Sequence, residues 1–496
     1  MSDGCIIAID QSTSGTKAMV VNKYGKVIAK SNKEHKQYYP NPGWVEQDPL
    51  EIYNNVKIVI KDVINKLNFP TSYIKAISIT NQRETVIVWD KETGKPIYNA
   101  IVWQCRRTSD MCMWFKKQGV EKLIKSKTGL LLNPYFSATK VKWILDNVEG
   151  AREKANRGKL LLGTIDTWLL WNFTNGKVHA TDYTNASRTL LFNIKTLEWD
   201  EELLKIFDIP LNMLPKVISS NDVFGYTNCD GILNEEVPIT GIIGDSQGAL
   251  FGQNCFEAGM IKATYGTGSS IMMNVGQNFI NAERGLVTSI AWGINKNVEY
   301  VLEGIINSTG DTLKWLKDNL GLFKDYNELE KLISNLKSNE GVYLIPAFSG
   351  LGIPYWNMGA KAAIVGMTRG VKKEHIVRAA LESIAYQIKD AIDIMEEESG
   401  IAPKELRVDG GATNNKFLMQ FQADLLNIKI VKTEFEDLSA LGSAYMAGLG
   451  IKLWNDKDDI VKLRENEYVY YPNSNIKEEM DMLYSGWKNA VKMVLT

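Results

Sequence analysis

Apolar and polar positions along the first thirty residues alternate in blocks that predict a strand meander. Residues 5–10 form an apolar run that ends in Asp10, and the polar turn 11–16 separates this run from a second one at 18–21. A third apolar run follows at 27–29. Short apolar blocks bounded by polar turns are typical of neighbouring strands. The chain therefore begins with three predicted strands, and an acid lies at the carboxyl end of the first.

The next block has the spacing of an amphipathic helix between residues 48 and 67. Apolar side chains recur there at helical intervals, Asp48 suits the N-cap, and Pro49 suits the first helical position. Strands and helices then alternate, which predicts an α/β fold. The expected strands are 74–80, 85–89, 100–103, 237–243, 406–409 and 428–431, and the later helices are 374–398, 414–426 and 439–450.

The pattern of the opening residues recurs in the second half of the chain. A strand is predicted at 259–264, a turn of Gly, Ser and Thr at 265–270, and another strand at 271–275. A chain of 496 residues is also too long for one ordinary hydrophobic core. We therefore expect two domains of the same type, one over residues 1–253 and the other over residues 254–496.

Composition and charge argue against several classes of partner. The net charge is −1, with 45% hydrophobic and 23% charged residues, so neither nucleic acid nor an anionic membrane is favoured. No apolar run approaches the roughly 18 residues of a membrane span, and no secretory signal is visible. The five scattered cysteines fit free thiols in a reducing cytoplasm. With three histidines in the whole chain, a histidine-rich metal site is not expected.

Two turns and two acids suggest phosphate chemistry. The turns at 12–16 and 266–268 combine Gly with Ser and Thr, and their backbone N–H groups can bind phosphate oxygens. Asp10 precedes the first turn, and Asp245 follows the apolar run 237–243. Such acids can hold Mg²⁺ through water, and one of them can accept a hydroxyl proton. Either turn alone is more often a plain hairpin and either acid alone is as often a loop cap. Their repeated combination favours a phosphate-binding cleft between the two halves.

Two further groups of residues suggest ligand contacts. The adjacent pair Arg83 and Glu84 can donate to and accept from a polyhydroxyl compound, and Trp103 and Tyr135 can flank its carbon skeleton. The strand at 406–409 runs into two glycines, which let the backbone approach a ligand closely. Each feature alone has a plainer explanation, namely a solvated ion pair, a core aromatic or a tight turn.

Several longer stretches carry a family resemblance that runs nearly from end to end. The first is Ile7-Ala-Ile-Asp-Gln11, and the last is Gly486-Trp-Lys-Asn-Ala-Val491. The specific stretches between them are residues 39–46, 79–85, 98–107, 184–191, 350–356 and 408–411. Taken together they resemble the FGGY family of sugar and polyol kinases.

This resemblance implies a fold, a set of cofactors and a set of site residues. The fold is α/β, with two actin/hexokinase-like (ribonuclease H-like) domains around a central cleft, and the reaction uses ATP and Mg²⁺. The implied nucleotide contacts are Thr13, Ser14, Lys17, Gly266, Thr267, Gly310, Lys314, Gly411 and Asn415. The implied acceptor contacts are Arg83, Glu84, Trp103, Tyr135, Asp245, Ser246 and Ser270. Asp245 would be the general base, and Asp10 and Asp245 would hold Mg²⁺ through water.

Within the family, the chain is most similar to members that phosphorylate glycerol, so ATP-dependent formation of sn-glycerol 3-phosphate is expected. Ser246 stands where those members have Gln, and Ser270 stands where they have Phe. These shorter side chains leave open another acceptor, such as erythritol, ribitol or xylulose. A non-kinase ATPase of the actin/chaperone type is the remaining alternative, and the polyol-binding residues argue against it. The family also suggests a homodimer.

Overall fold

The computed structural model describes residues 4–435, 437–464 and 467–495. Strands and helices alternate along the chain, as the α/β prediction requires. In chain order the strands are β1 Cys5–Gln11, β2 Gly15–Asn22, β3 Val27–Glu34, β4 Glu46–Gln47, β5 Ile74–Asn81, β6 Ile87–Asp90, β7 Ala100–Ile101, β8 Leu160–Gly163, β9 Ala180–Asp182, β10 Phe192–Asn193, β11 Glu198–Trp199, β12 Lys216–Ile218, β13 Gly225–Thr227, β14 Val237–Gly244, β15 Met260–Tyr265, β16 Ser269–Gly276, β17 Val287–Ile294, β18 Asn297–Ile306, β19 Tyr343–Ile345, β20 Ala363–Val365, β21 Glu405–Asp409, β22 Lys429–Thr433 and β23 Glu467–Tyr470.

The helices connect and cover these strands. In chain order they are α1 Pro49–Asn65, α2 Ser109–Lys117, α3 Glu121–Thr128, α4 Ser137–Asn147, α5 Ala151–Asn156, α6 Ile165–Phe173, α7 Tyr183–Ala186, α8 Glu201–Phe207, α9 Asp245–Gly252, α10 Gly310–Asp318, α11 Tyr326–Ser334, α12 Lys373–Ser399, α13 Lys416–Leu426, α14 Leu438–Gly450, α15 Lys457–Val461 and α16 Lys477–Lys492. Short 3₁₀ turns occur at Thr71–Tyr73, Leu211–Met213, Gly411–Asn414 and Ser474–Ile476.

The first large sheet brings the two predicted acids to one edge. Its strand order is β13-β14-β5-β1-β2-β3. The first three strands of the chain form an antiparallel meander, as predicted, whereas β5 and β14 run parallel to β1. Asp10 pairs with Thr80 of β5, and Gly244 pairs with Asn81 in the next ladder. The carboxyl ends of β1, β5 and β14 therefore share the edge that carries Asp10 and Asp245, which is where open α/β sheets bind ligands.

The second large sheet repeats this topology. Its order is β17-β18-β16-β15-β21-β22-β23. Strands β15, β16 and β18 pair antiparallel, while β21 and β22 run parallel to β15 and β23 closes the edge antiparallel. The series β18-β16-β15-β21-β22-β23 thus corresponds to β3-β2-β1-β5-β14-β13, with β17 as an additional edge strand. The predicted repeat of the opening pattern is confirmed.

Local signals predicted the first helix well and some later boundaries less well. Helix α1 begins at Pro49, and the Asp48 carboxylate accepts the Leu50 N–H at 2.8 Å, as an N-cap does. The strand expected at 100–103 is shorter than predicted, and the helix expected from residue 414 begins after a 3₁₀ turn. Helix α9 was not predicted, although it starts directly at the end of β14.

Helices α9 and α14 join the two halves of the chain beside the cleft. By sequence α14 belongs to the second half, but it packs on β1, β5 and β14 of the first sheet and tightly against α9. The close approach requires glycine, because a β-carbon on Gly442 would overlap the Gly248 carbonyl and one on Gly252 would overlap the Leu438 carbonyl. The predicted boundary at residue 253 therefore remains a prediction.

Three general properties of the described ranges bear on the expected partners. None of their helices is both long enough and apolar enough to cross a membrane. All five cysteines are buried and free. Within these ranges no group of three or more His, Cys, Asp or Glu side chains is arranged to hold a metal ion.

Candidate functional site

A polar cleft lies between the carboxyl ends of β5 and β14 on one side and the turn after β15 with strand β18 on the other. It contains about 1380 Å³ of space, including its open mouth. All seven predicted acceptor residues and two predicted nucleotide residues line it together. They are Arg83, Glu84, Trp103, Tyr135, Asp245, Ser246 and Ser270, with Thr13 and Gly266.

Asp245, the first residue of α9, has one carboxylate oxygen held by the protein. Its Oδ1 accepts the Ser246 backbone N–H at 2.6 Å and lies 3.3 Å from Nε of Arg83. Within the described residues, Oδ2 accepts no hydrogen bond. The side chain is 34% exposed. One oxygen thus fixes the carboxylate, and the other is available to a hydroxyl group in the cleft.

Arg83 and Glu84 follow β5 at a left-handed turn of the backbone. The φ angle of Glu84 is +62°, a conformation that residues with a β-carbon adopt infrequently. Ser137 Oγ donates a hydrogen bond of 3.1 Å to the Glu84 carbonyl oxygen. Both charged side chains are nearly fully buried. Buried charges are stable only when they are paired, so each requires a counter-ion.

Glu303 and Arg188 supply those counter-ions. Arg83 donates to the Glu303 carboxylate from Nη2 at 2.8 Å and from Nη1 at 3.3 Å. Arg188 donates from Nε to Glu84 at 2.6 Å and from Nη1 to Glu303 at 2.7 Å. Gln247 accepts a further hydrogen bond from Arg83 Nη1 at 3.1 Å. Two cations and two carboxylates thus form a closed network, which we call the buried charge network (Arg83, Glu84, Arg188, Glu303).

The pKa values of the two acids in the buried charge network shift in opposite directions, because burial and ion pairing balance differently at each acid. Burial alone would raise the pKa of Glu303, but contact with Arg188 and Arg83 outweighs burial and lowers that pKa to about 2. For Glu84, burial dominates and raises the pKa, while the same two arginines offset only part of the effect. Glu303 is therefore ionised at neutral pH and serves as the common counter-ion of both arginines.

Trp103 and Tyr135 form one wall of the cleft. Their ring centroids lie 5.2 Å apart with the planes tilted by 58°. Trp103 Nε1 donates to Thr13 Oγ1 at 2.9 Å, which ties this wall to the first turn. Behind it, the fully buried Lys140 ammonium donates to three consecutive carbonyl oxygens at residues 134–136, at 3.2, 2.5 and 2.9 Å. These bonds fix the backbone that presents the Tyr135 ring.

Ser246 and Ser270 are two further residues in the lining of the cleft. Ser246 Oγ donates to Asp245 Oδ1 at 3.3 Å. Ser270 lies on β16, opposite Ile305 of β18. Its hydroxyl is shielded from solvent and has no hydrogen-bond partner among the described residues. Since buried polar groups are normally paired, a ligand hydroxyl is a suitable partner for Ser270.

The first turn, after β1, brings Thr13 into the lining of the cleft, whereas Ser14 and Lys17 do not line it. The Thr13 carbonyl accepts a hydrogen bond from Gln47 Nε2 at 2.6 Å, and Ser14 is exposed. Lys17, on β2, forms an ion pair of 2.8 Å with Asp437 from the second half of the chain. The turn is thus fixed from both halves, and its backbone remains accessible at Ser14.

The second turn, after β15, is in direct contact with the start of α10. The Gly310 N–H donates to the Gly266 carbonyl at 3.0 Å, and the Asp311 N–H donates to the Thr267 carbonyl at 3.2 Å. A β-carbon on Gly310 would lie 2.5 Å from the same Gly266 oxygen. Glycine is therefore needed at the start of α10 for this contact.

The remaining predicted nucleotide residues, Gly411, Asn415 and Lys314, differ in their surroundings. Gly410 packs on the backbone of Tyr265, where a β-carbon would overlap, so the adjacent Gly411 lies beside the second turn. Asn415 caps α13 by accepting the Leu418 N–H at 2.8 Å. Lys314 is exposed and pairs with Asp318 on its own helix, so its side chain does not line the cleft.

Asp10, at the end of β1, fits the predicted magnesium position. Its side chain is buried. Burial raises its pKa to about 7, Lys17 offsets part of the rise, and the charges of Asp245 and Asp437 add to it. The charges of Asp10 and Asp245 repel each other, and a divalent cation between them would remove that repulsion. Carboxylate oxygens are also the ligands that a hard divalent cation prefers. The magnesium role of Asp10 and Asp245 stays a prediction.

Sequence reasoning did not identify Glu303, Arg188 or Gln247 as parts of the site. Glu303 lies within the otherwise apolar end of β18, and an acid inside a buried strand is itself a signal of a paired charge. Arg188 falls in the stretch 184–191 that carries the family resemblance. Their partners lie far away in the sequence, so the pattern alone does not show the pairing.

Comparison with protein families and curated sequences gives matches over nearly the whole chain. The N-terminal domain model of the FGGY family of carbohydrate kinases matches residues 5–252, and the C-terminal domain model matches residues 261–451. The chain is 51% identical over 491 residues to the glycerol kinase of Alkaliphilus metalliredigens, covering 99% of this chain and 98% of the relative. It is also 51% identical over 490 residues to glycerol kinase 2 of Thermotoga maritima, with the same coverage.

Solved structures of carbohydrate kinases also match this chain over nearly its whole length. The crystal structure of Plasmodium falciparum glycerol kinase with ADP has a TM-score of 0.94 at 38% identity and covers 100% of this chain and 99% of that one. The ligand-bound xylulose kinase of Lactobacillus acidophilus has a TM-score of 0.88 at 24% identity, with 99% and 98% coverage. The second likeness shows the shared fold alone.

Proposed function

Because the chain belongs to the FGGY family of carbohydrate kinases, we propose that it transfers the γ-phosphoryl group of ATP to glycerol and forms sn-glycerol 3-phosphate. The observation that carries this proposal is the arrangement of Asp245, Arg83 and Glu84. A carboxylate whose Oδ2 has no hydrogen bond within the described residues lies beside a buried donor–acceptor pair, in a cleft that Gly266 of the second turn also lines. The relatives at 51% identity, which bear the name glycerol kinase, support the same acceptor.

Arg83 and Glu84 would hold the hydroxyl groups that do not react. A guanidinium group only donates hydrogen bonds and an ionised carboxylate only accepts them. Arg83 can therefore donate to the oxygen of one hydroxyl, and Glu84 can accept the hydrogen of another. Trp103 and Tyr135 would cover the carbon skeleton, since their tilted rings form a continuous apolar wall. This arrangement would leave one terminal hydroxyl facing Asp245.

Asp245 would act as general base through its free oxygen. As the terminal hydroxyl oxygen attacks the γ-phosphorus in line, Oδ2 would take the hydroxyl proton, and the bond to the β-phosphate oxygen would break to release ADP. Arg83, 3.3 Å from Oδ1, keeps the carboxylate oriented during this step. Proximity of the acceptor and the base supplies much of the rate, because both are held in one cleft.

The two turns would bind the phosphates of ATP. Ser14 and Thr267 are exposed, and their backbone N–H groups would contact phosphate oxygens from the two turns. The Gly266 N–H is already donated to the Gly268 carbonyl at 2.9 Å, so it would shape the second turn and not bind phosphate. Asp10 and Asp245 would hold Mg²⁺ through water, and bound Mg²⁺ would neutralise charge on the phosphate oxygens. The start of α10 and the segment at Gly411 would border the nucleotide from behind the second turn.

A longer polyol is the second candidate acceptor, favoured by the unpaired Ser270 hydroxyl. Ser270 and Ser246 both line the cleft that holds the predicted acceptor residues, and the Ser270 hydroxyl oxygen is buried just beneath that lining. An additional carbinol unit of a four- or five-carbon polyol would give the Ser270 hydroxyl the partner that the described residues do not provide. Glycerol has only three hydroxyls and would leave the Ser270 hydroxyl as unpaired as it is without an acceptor.

The test is a panel of acceptors at equal concentration. Acceptor-dependent release of ADP is measured with glycerol, erythritol, ribitol and xylulose, and without any acceptor. The proposal predicts the highest kcat/KM with glycerol and little release without acceptor. Preference for erythritol or ribitol would move the assignment to the second candidate, and equal ADP release with and without every acceptor would contradict a kinase of any polyol.

A further inference from the structure

Glu303 comes from the second half of the chain, whereas the two arginines that it contacts come from the first. It lies on β18, and its carboxylate accepts hydrogen bonds from Arg83 and Arg188. All three side chains are at least 96% buried, with exposures of 2%, 4% and 1% respectively. Charge-assisted hydrogen bonds in such an environment are strong and sensitive to geometry.

Glu303 determines the direction of the Arg83 guanidinium. Its two oxygens engage Nη1 and Nη2 of Arg83, while Gln247 takes a second bond from Nη1. These bonds leave Nε of Arg83 beside Asp245, at 3.3 Å. Without Glu303 the guanidinium would lose its main anchor and could rotate about its long side chain.

The same carboxylate also fixes Glu84 through Arg188. Arg188 bridges Glu84 and Glu303, and Ser289 accepts another bond from its Nη1 at 2.7 Å. Glu303 therefore acts on both members of the acceptor-binding pair, directly on one and through a second arginine on the other. Glu84 lies 4.0 Å from Nε of Arg83, so among the described residues Glu303 is the one carboxylate within hydrogen-bond distance of both arginines.

The strand that carries Glu303 is itself well anchored. In β18, Glu303 pairs with Met272 of β16 on one side and with Val287 of β17 on the other. Three residues later Ile306 pairs with Ser269, next to the second turn. A side chain on a central strand with neighbours on both sides is a rigid support, in contrast to one on a loop.

We propose that Glu303 is a positioning residue for the acceptor, which completes the acceptor site of the first half with a carboxylate from the second half. This inference rests on the proposed function in so far as Arg83 and Glu84 bind the acceptor. The proposal predicts that loss of the Glu303 carboxylate weakens acceptor binding and leaves nucleotide binding intact.

The test compares Glu303→Gln with Glu299→Gln. Glu299 lies on the same strand but pairs with Lys457 and Asn274, away from the cleft, so it is a matched control. We expect the acceptor KM of Glu303→Gln to rise at least about tenfold, equivalent to 1.4 kcal/mol, while its ATP KM stays within about twofold. Glu299→Gln should keep both KM values. If Glu303 only supports folding, the amount of active enzyme falls and both KM values remain those of the wild type, which would overturn the proposal.

A second variant and a second measurement keep the proposal testable if Glu303→Gln does not fold. Glu303→Asp retains the charge but is one methylene shorter, so it should fold and still raise the acceptor KM. Thermal unfolding with and without saturating acceptor, and with and without ADP, compares each variant with its own baseline. The acceptor-induced increase in Tm should be lost in the Glu303 variants and the ADP-induced increase retained; an acceptor-induced increase equal to that of Glu299→Gln would overturn the proposal.

The acceptor used is the one that the wild type turns over best in the panel described above. A wild type that prefers another polyol would disprove glycerol as acceptor, and the Glu303 comparison would then be made with that polyol. The two hypotheses therefore fail on different results.

Discussion

At the scale of single residues, Asp245 is defined by the difference between its two carboxylate oxygens. Oδ1 is fixed by the Ser246 N–H and lies beside Arg83, and within the described residues Oδ2 has no hydrogen bond. A general base needs both properties. The carboxylate must be oriented before the substrate binds, and one of its oxygens must be available to accept the proton of the hydroxyl group.

We expect Asp245→Asn to lower kcat by between about 10² and 10⁴-fold. The amide has the size of the carboxylate and can still accept the Ser246 N–H, but it cannot take a proton. Steady-state kinetics would show the loss in kcat, with Tm near the wild-type value. Turnover within a few-fold of wild type in a folded variant would exclude Asp245 as the base.

His179 should make stability depend on pH. Burial lowers its pKa to about 4, its ring lies edge-on to Trp89, and its Nε2 is 2.8 Å from the Leu162 carbonyl oxygen. Between pH 4 and the unfolded value of about 6.5, the unfolded state binds more protons, so stability falls as the pH falls through this window. Denaturant unfolding should show that the wild type loses about 2 kcal/mol more than His179→Gln between pH 7 and pH 5. Equal losses in both proteins would contradict this assignment.

Sequence reasoning predicted the residues that face the cleft better than the residues that support them. Arg83 lies in the stretch 79–85 that carries the family resemblance, Asp245 follows a predicted strand, and Ser270 ends the predicted turn 265–270. The structure brings the three together in one cleft. Glu303 and Arg188 act through contacts with residues more than one hundred positions away. A local pattern contains no information on such a contact.

At the scale of elements, the start of α10 fixes the second turn. We expect Gly310→Ala to raise the ATP KM about tenfold or more, because the new methyl group would push on the Gly266 carbonyl, 2.5 Å from it. The acceptor KM should change by less than about twofold, since Gly310 is not part of the acceptor wall. Gly370→Ala is the control, because its β-carbon would have room, with Thr368 Oγ1 as the nearest atom at 3.8 Å. An unchanged ATP KM in Gly310→Ala would exclude this turn from nucleotide binding.

Elements with a clear local signal were predicted, and elements that depend on packing were not. Helix α1 has an apolar stripe, a capping Asp48 and Pro49 at its first position. Helix α9 contains Gly248 and Gly252, which are poor helix formers, and it exists where these glycines allow α14 to approach. Tertiary packing therefore determines that these residues form a helix, and intrinsic helix propensity does not predict it.

At the scale of the whole molecule, the pair α9–α14 holds the two halves together. We expect Gly442→Ala to lower the free energy of unfolding by about 1–3 kcal/mol, because a β-carbon there overlaps the Gly248 carbonyl. Activity should also fall, since Asp245 is the first residue of the displaced helix. Denaturant unfolding and kcat would measure both effects, with Gly370→Ala as the control. Wild-type stability in Gly442→Ala would show that the contact is not tight.

The two-domain architecture could be predicted because both halves begin with the same succession of strand, polar turn and strand. The structure confirms the repeat in the strand order of its two large sheets. The position of α14 on the first sheet could not be predicted, since its apolar surface is compatible with either sheet. The domain ranges, the homodimer and the cytoplasmic location remain predictions.

The central claim, transfer of phosphate from ATP to glycerol, is tested most directly by identifying the product. Wild-type protein is incubated with ATP, Mg²⁺ and glycerol, and phosphorus NMR follows ADP and the phosphorylated acceptor together. We predict sn-glycerol 3-phosphate and ADP in equal amounts, with negligible inorganic phosphate. ADP accompanied by inorganic phosphate and no glycerol 3-phosphate would contradict the account.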